Sequence, residues 1–111
     1  ALIMALVMSA SAIHAQTTAD PAETVTAIFA TLDEELRETE MFLSLCYCVV
    51  DREARTIRWT NTGHPHAFTV GADGVPQRLE ATDPPLGLGP EDLHVAERAW
   101  DPEHDVLALF T

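Results

Sequence analysis

The sequence predicts an α+β domain in which two N-terminal helices precede about six short, mainly antiparallel strands. Two observations predict this order. Apolar residues recur at helical spacing up to residue 36, and from residue 41 short apolar runs alternate with turns rich in Gly, Pro and Asp. The chain has 111 residues, of which 47% are hydrophobic and 22% charged, which is typical of one small folded domain.

The first predicted helix covers residues 1–15, where Leu2, Ile3, Leu6 and Val7 keep helical spacing. The same segment also resembles a signal-peptide core followed by a small-residue cleavage region, although no basic residue precedes Arg37. It therefore leaves open an alternative in which the chain is an exported acidic β domain. No apolar run approaches the ~20 residues that cross a bilayer, so membrane insertion is not expected.

The second predicted helix begins at Asp20, because Asp is a favoured N-cap, Pro21 suits the first helical position and Glu23 is placed to complete a capping box. One face of this helix is apolar and predicts packing against a sheet. The residues of this apolar stripe are Val25, Ile28, Phe29, Leu32 and Leu36.

The predicted strands are 41–50, 56–62, 67–70, 75–79, 93–100 and 105–111. The first is a long apolar run without Gly or Pro, which predicts a central strand buried on both faces. Polar turns at 51–55, 71–74 and 101–104 join neighbouring strands, and the Pro- and Gly-rich segment 83–90 is predicted to be a loop. Trp59 and Trp100 are expected in the core.

Cys46 and Cys48 are one residue apart, so both thiols face the same side of a strand. Their Cα separation lies near the upper limit for a disulfide, and two thiolates alone make a poor zinc site. We therefore expect buried, reduced thiols, which weakly favours a reducing compartment.

His64 and His66 flank Pro65 after a predicted strand. They could supply two ligands to a metal, but the spacing names no third ligand, and an ordinary turn is the favoured interpretation. The remaining histidines are scattered and are expected on the surface or hydrogen-bonded. These are His14, His94 and His104.

The charge balance excludes one class of partner. The chain has 18 Asp and Glu residues against 6 basic ones, so its formal net charge is -12. Such a chain repels phosphate backbones, and nucleic acid is not an expected partner.

Three motifs occur in a characteristic order. They are N-x-G-H-P at residues 61–65, P-L-G-L at 85–88 and D-x-L-x-L-F-T at 105–111. Together with the apolar segment 41–51, they resemble the bacterial SpoIIE/RsbU-type serine phosphatases of the PPM (type 2C) superfamily. Segments 1–15 and 21–36 resemble two helices of the same family.

The resemblance implies a partial α-β-β-α sandwich, in which helices flank two antiparallel sheets. It further implies a cytoplasmic phosphatase that removes phosphate from serine or threonine of a phosphoprotein, such as an anti-sigma-factor antagonist in partner-switching signalling. A sensor domain upstream in the parent protein would fit this family. Two Mn²⁺ or Mg²⁺ ions would lower the pKa of a bridging water and orient it toward phosphorus.

The family's metal-binding Asp motifs fall outside this chain, so we expect residues 1–111 to be a phosphatase domain truncated at both ends, inactive alone and marginally stable. No catalytic residue and no metal ligand is predicted within it. By the same resemblance, Asn61, Gly63 and His64 are predicted to lie on the rim of the active centre. The alternative that keeps the fold is a non-catalytic, PPM-like regulatory module.

Overall fold

The computed structural model describes residues 20–87 and 92–110. They form one helix and two three-stranded sheets, all of whose pairings are antiparallel. The elements are α1 (Pro21–Thr39), β1 (Cys46–Asp51), β2 (Thr56–Asn61), β3 (Ala67–Val70), β4 (Pro76–Arg78), β5 (Ala96–Ala99) and β6 (Val106–Leu109). The predicted α+β class is confirmed, while the predicted helix at 1–15 lies outside the described residues.

Helix α1 begins as its sequence predicts. The Asp20 carboxylate accepts hydrogen bonds from the backbone N–H groups of Ala22 (2.8 Å) and Glu23 (3.1 Å). The helix ends at Glu40, which adopts the left-handed conformation with φ 53°. Its predicted apolar stripe packs against residues from β1 and the loops beside it. These contacting residues are Leu43, Leu45, Tyr47 and Leu86.

The strand order is β1-β2-β5 in the first sheet and β4-β3-β6 in the second. A second apolar cluster combines side chains from both sheets, including the two tryptophans predicted to be in the core. Its buried members are Ile57, Trp59, Ala67, Leu79 and Trp100. Arg98 of β5 donates a hydrogen bond of 2.8 Å to the Thr69 hydroxyl of β3, which links the two sheets directly.

The strand registers define two ends of this sandwich. Asn61 pairs with Cys46 in the first sheet, and Ala67 pairs with Leu109 in the second. Because 62–66 joins β2 to β3, these positions share one end, which we call the motif end. The hairpin turns 52–55 and 71–75 lie at the other end, together with the connection 100–105, which crosses from the first sheet to the second; we call this the turn end.

The predicted strand at 41–50 needs correction. Strand β1 begins at Cys46, while Met41 and Phe42 are exposed. Leu43 instead exchanges backbone hydrogen bonds with Leu86. Among the described strands β1 is an edge strand, and it is half-buried because α1 covers one face while its outer edge has no neighbour there.

The later predicted strands are also shorter than expected, since β4, β5 and β6 lose residues at both ends to turns and loops. The segment predicted as a loop without pairing does form one isolated bridge, at Leu86. Within the residues that the structure describes, no helix has the length and apolar character that spanning a membrane requires.

Candidate functional site

Asn61 is the central residue of the motif end. It closes β2, and only 1% of its surface is exposed. Its side-chain oxygen accepts a hydrogen bond of 2.7 Å from the His64 N–H, and its amide nitrogen donates to the carbonyls of His64 and Leu79, both at 2.9 Å. All of this side chain's polar atoms are therefore committed to holding the loop, and we call this arrangement the Asn61 clasp.

The backbone of Asn61 holds a second segment. Its carbonyl accepts hydrogen bonds from the N–H groups of Thr82 (2.8 Å) and Asp83 (3.1 Å). Its own N–H donates to the Thr82 hydroxyl at 3.0 Å. The chain leading into P-L-G-L is thereby fixed to the end of β2.

Gly63 lies where the two motifs touch. Its φ is +91°, a conformation that strongly favours glycine. A Cβ atom placed there would lie 3.1 Å from Cγ and 3.3 Å from Cδ of Pro85. The Leu43–Leu86 pairing holds the same loop from its other side, with N···O distances of 3.0 and 2.8 Å. The N-x-G-H-P and P-L-G-L motifs are therefore in direct contact, through Gly63 and Pro85.

The histidine pair of N-x-G-H-P adopts an ordinary turn. The rings of His64 and His66 lie edge to face with centroids 6.3 Å apart, and His66 stacks on Phe110 at 4.9 Å. His64 is half-buried, and its backbone is fixed by the clasp. Neither ring belongs to a cluster of three potential metal ligands within 20–87 and 92–110.

A buried carboxylate extends this network. The side chain of Asp83 is 6% exposed and accepts hydrogen bonds from the Thr82 hydroxyl (2.7 Å), the His94 N–H (3.0 Å) and the His94 Nδ1 (2.7 Å). Burial raises the pKa of Asp83, but these hydrogen bonds outweigh it and the net pKa is lowered. The hydrogen bond to Asp83 and its negative charge raise the pKa of His94.

The Asp83–His94 pair is not predicted from the sequence. His94 is predicted to lie on the surface or to be hydrogen-bonded. Both are true, because its side chain is 71% exposed and its Nδ1 is hydrogen-bonded to Asp83. Its partner could not be identified, because an acid eleven positions away across a Pro- and Gly-rich loop follows no local periodicity.

The described residues do not fit the dinuclear metal centre that the family resemblance implies. Their one cluster of three potential ligands is Asp101, Glu103 and His104, which lies at the turn end. There the Asp101 carboxylate already accepts hydrogen bonds from the Glu103 N–H (3.0 Å) and the His104 Nδ1 (2.8 Å). At the motif end, the Asp83 carboxylate likewise already accepts hydrogen bonds from Thr82 and His94.

Comparison with known proteins places this architecture in a family. The crystal structure of the RsbU and RsbW domains of Rv1364c from Mycobacterium tuberculosis is similar, with a TM-score of 0.74 and 19% sequence identity over 90% of this chain. At this identity the likeness shows a shared fold alone, and this chain spans only 28% of the length of that one. No match was found among curated proteins. The family model for stage II sporulation protein E (SpoIIE) matches residues 1–111, and the chain therefore belongs to the SpoIIE family.

Proposed function

We propose that this chain is part of a PPM-type protein-serine/threonine phosphatase domain, and that its motif end forms part of the active-centre rim. The observation that carries the proposal is the match of the SpoIIE family model to the whole chain. The contact between N-x-G-H-P and P-L-G-L supports it, because a loop pinned from both sides can hold a substrate-facing group in a fixed place.

Within this rim, the three predicted site residues have different tasks. Asn61 and Gly63 are positioning residues, since the side chain of the first is fully hydrogen-bonded and the second provides the turn against Pro85. His64 has an imidazole that makes no side-chain hydrogen bond within the described residues. We assign to that imidazole a contact with a phosphoryl oxygen of the substrate.

Dependence on Mn²⁺ or Mg²⁺ is part of the proposal. These ions would activate the attacking water, so that no protein nucleophile is required. Because the described residues offer no dinuclear site, we assign them no step that depends on the ions. Their contribution is the sandwich wall, the pinned loop and the His64 side chain.

The proposed substrate is a small phosphoprotein of a partner-switching pathway, such as an anti-sigma-factor antagonist, in the cytoplasm. The structural neighbour contains an RsbU domain together with an RsbW domain, and this pairing supports a partner-protein setting. The formal charge of -12 disfavours nucleic acid, and it means that bound metal ions would be needed to attract the anionic phosphoryl group of the substrate.

The test measures phosphate release from a phosphoserine protein by the natural protein that contains this sequence, with Mn²⁺, with Mg²⁺ and with a chelator. We expect hydrolysis only with a divalent ion. Replacing His64 by Ala should lower kcat/KM by about 100-fold, the usual effect of removing one group that stabilises the transition state. The matched control is His104→Ala at the turn end, which should leave kcat/KM unchanged.

The outcomes separate the parts of the proposal. Absence of hydrolysis with either ion would overturn the phosphatase assignment and favour the non-catalytic module. Equal effects of the two histidine variants would overturn the rim assignment alone. We expect residues 1–111 by themselves to release no phosphate, and robust turnover by them would contradict the view that their described part offers no metal centre.

A further inference from the structure

The two cysteines of the chain form a pair that the proposed function does not use. Cys46 and Cys48 lie on β1, are both free and half-buried, and are the only cysteines in the sequence. Their sulfur atoms are 3.7 Å apart. Both side chains pack against the apolar cluster between the two sheets. The predicted same-face arrangement is therefore confirmed, whereas the thiols are half-buried and not buried as predicted, because β1 is an edge strand among the described strands.

The distance between the sulfurs suits chelation. A tetrahedral ion with metal–sulfur bonds of about 2.3 Å holds two sulfurs roughly 3.8 Å apart. A disulfide would require about 2.05 Å and a Cα separation at the long limit of its range. The pair is consequently close to the geometry of a chelate and far from that of a disulfide.

The surroundings favour a soft ion over a hard one. Thiolates are the ligands that soft and borderline cations prefer, whereas Mg²⁺ and Mn²⁺ prefer oxygen. Two thiolates also neutralise a divalent charge, and a neutral complex can remain in a half-buried apolar position. No carboxylate or imidazole in the described residues forms a three-ligand cluster with these sulfurs.

The thiols are already coupled. A hydrogen bond between the sulfurs lowers the pKa of Cys46, and the same bond together with burial raises the pKa of Cys48. An incoming cation must displace both thiol protons, so its affinity should increase with pH.

We propose that Cys46 and Cys48 form a two-thiolate site for a soft, thiophilic cation. On binding, two metal–sulfur bonds form, both S–H protons leave to solvent and no electron is transferred. Structural zinc sites use four protein ligands, so an ion held by two keeps water in its other positions and stays exchangeable. Because Cys46 pairs with Asn61 in the sheet, the ion would lie beside the clasp.

The test is a titration of the 111-residue chain with Cd²⁺, followed through thiolate-to-metal charge-transfer absorption, in excess Mg²⁺. We expect one Cd²⁺ per chain, protection of both thiols from alkylation and no displacement by Mg²⁺. Cys46→Ser and Cys48→Ser should each weaken binding by about 100-fold, because the second thiolate of the pair binds intramolecularly. Circular dichroism of both variants checks that they fold.

Affinity of either Ser variant equal to that of the unmodified chain would overturn the proposal, as would one Cd²⁺ shared between two chains. Should a variant fail to fold, the alkylation result on the unmodified chain decides, since a bound ion that leaves one thiol reactive contradicts a two-thiolate site. No phosphatase assay enters this test, so its failure would leave the proposed function untouched.

Discussion

The two ends of the sandwich are held together by different kinds of hydrogen bond. At the turn end each of the three connections is closed locally, by an Asp side chain that accepts from backbone N–H groups two or three residues further on. These acceptors are Asp51, Asp73 and Asp101. At the motif end, the local bonds between Asn61 and His64 are joined by bonds between residues 17 to 21 positions apart, as in the pairs Leu45–Thr62 and Asn61–Thr82.

The ends also differ in what they enclose. The turn end contains a cavity of about 320 Å³ whose lining includes Thr69, Asp73, Gln77, Arg98 and Asp105. The motif end brings loops into direct contact, and its central residue, Asn61, is buried. Long-range bonds occur at both ends, since the Trp100 N–H donates to the Arg55 carbonyl at the turn end. The difference is that a buried side chain, that of Asn61, organises the motif end, whereas each turn of the turn end has its own Asp acceptor. The motif residues Asn61 and Gly63 therefore help to hold the fold together, in addition to any role in chemistry.

The largest expected effect comes from removing the clasp. Asn61→Ala deletes three side-chain hydrogen bonds and leaves two carbonyls and one N–H without that partner. At about 1 kcal/mol for each bond, the free energy of unfolding should decrease by about 3 kcal/mol. The matched change at the turn end is Gln77→Ala, an exposed cavity-lining residue, which should cost less than about 0.5 kcal/mol.

Urea denaturation of both variants measures the two values. Equal losses for Asn61→Ala and Gln77→Ala would remove the distinction between the ends. A loss at Asn61 with unchanged dependence on denaturant would place the effect in the folded state, where the clasp is formed.

A smaller difference in the loss of stability is expected when two glycines of positive φ are each replaced by Ala. Gly63→Ala and Gly74→Ala both force Ala into a left-handed conformation, which costs about 1–2 kcal/mol. At Gly74 the new methyl group meets nothing within 4 Å, whereas at Gly63 it meets the Pro85 ring. Gly63→Ala should therefore be the more destabilising by about 1–2 kcal/mol, as is usual for overpacking.

The paired design isolates the contact between motifs, because the backbone cost is common to both variants. If thermal denaturation gives the same loss of stability for both, the loops move apart freely and the rim is not pinned. The double variant Gly63→Ala, Pro85→Ala should recover part of the loss, since the ring that the methyl group meets is gone.

The sequence predicted the turn end well, because each turn is encoded within a few residues. Each of the polar segments 51–55, 71–74 and 101–104 contains Asp, and 71–74 also contains Gly while 101–104 contains Pro. These residue types favour a turn through their own side chains or backbone angles. The start of α1 was also predicted correctly, because Asp20 and Pro21 act on the first turn of their own helix. These local interactions do not depend on how the surrounding strands are arranged.

The motif end could not be derived from the same kind of signal. Nothing in the local pattern shows that Asn61 bonds to Leu79, or that Asp83 would bury its carboxylate against His94. The edge position of β1 was missed for a related reason, because an apolar run predicts burial without identifying which element supplies it. Resemblance to a family singled out Asn61 but not Asp83 or His94, and only the fold shows the partners of each.

The smallest expected effect is electrostatic and concerns the Asp83–His94 pair. Its hydrogen bond and negative charge raise the pKa of His94 above the ordinary value of 6.5, and Asp83→Asn should return that pKa toward 6.5. NMR titration of the imidazole signals measures this change. The control is Asp101→Asn, which removes the acid beside His104 at the turn end and should leave the His94 titration unaltered.

The same shifts fix the sign of the pH dependence. The raised pKa of His94 stabilises the fold fully below pH 6.5, and this contribution is lost as the pH rises through the folded-state pKa. The lowered pKa of Asp83 stabilises the fold above its ordinary value of 3.8 and is lost as the pH falls through its folded-state pKa. The difference in Tm between the unmodified chain and Asp83→Asn should therefore be greatest between pH 3.8 and 6.5. A difference in Tm that did not change with pH would mean that the pair contributes through its hydrogen-bond geometry and not through its charges.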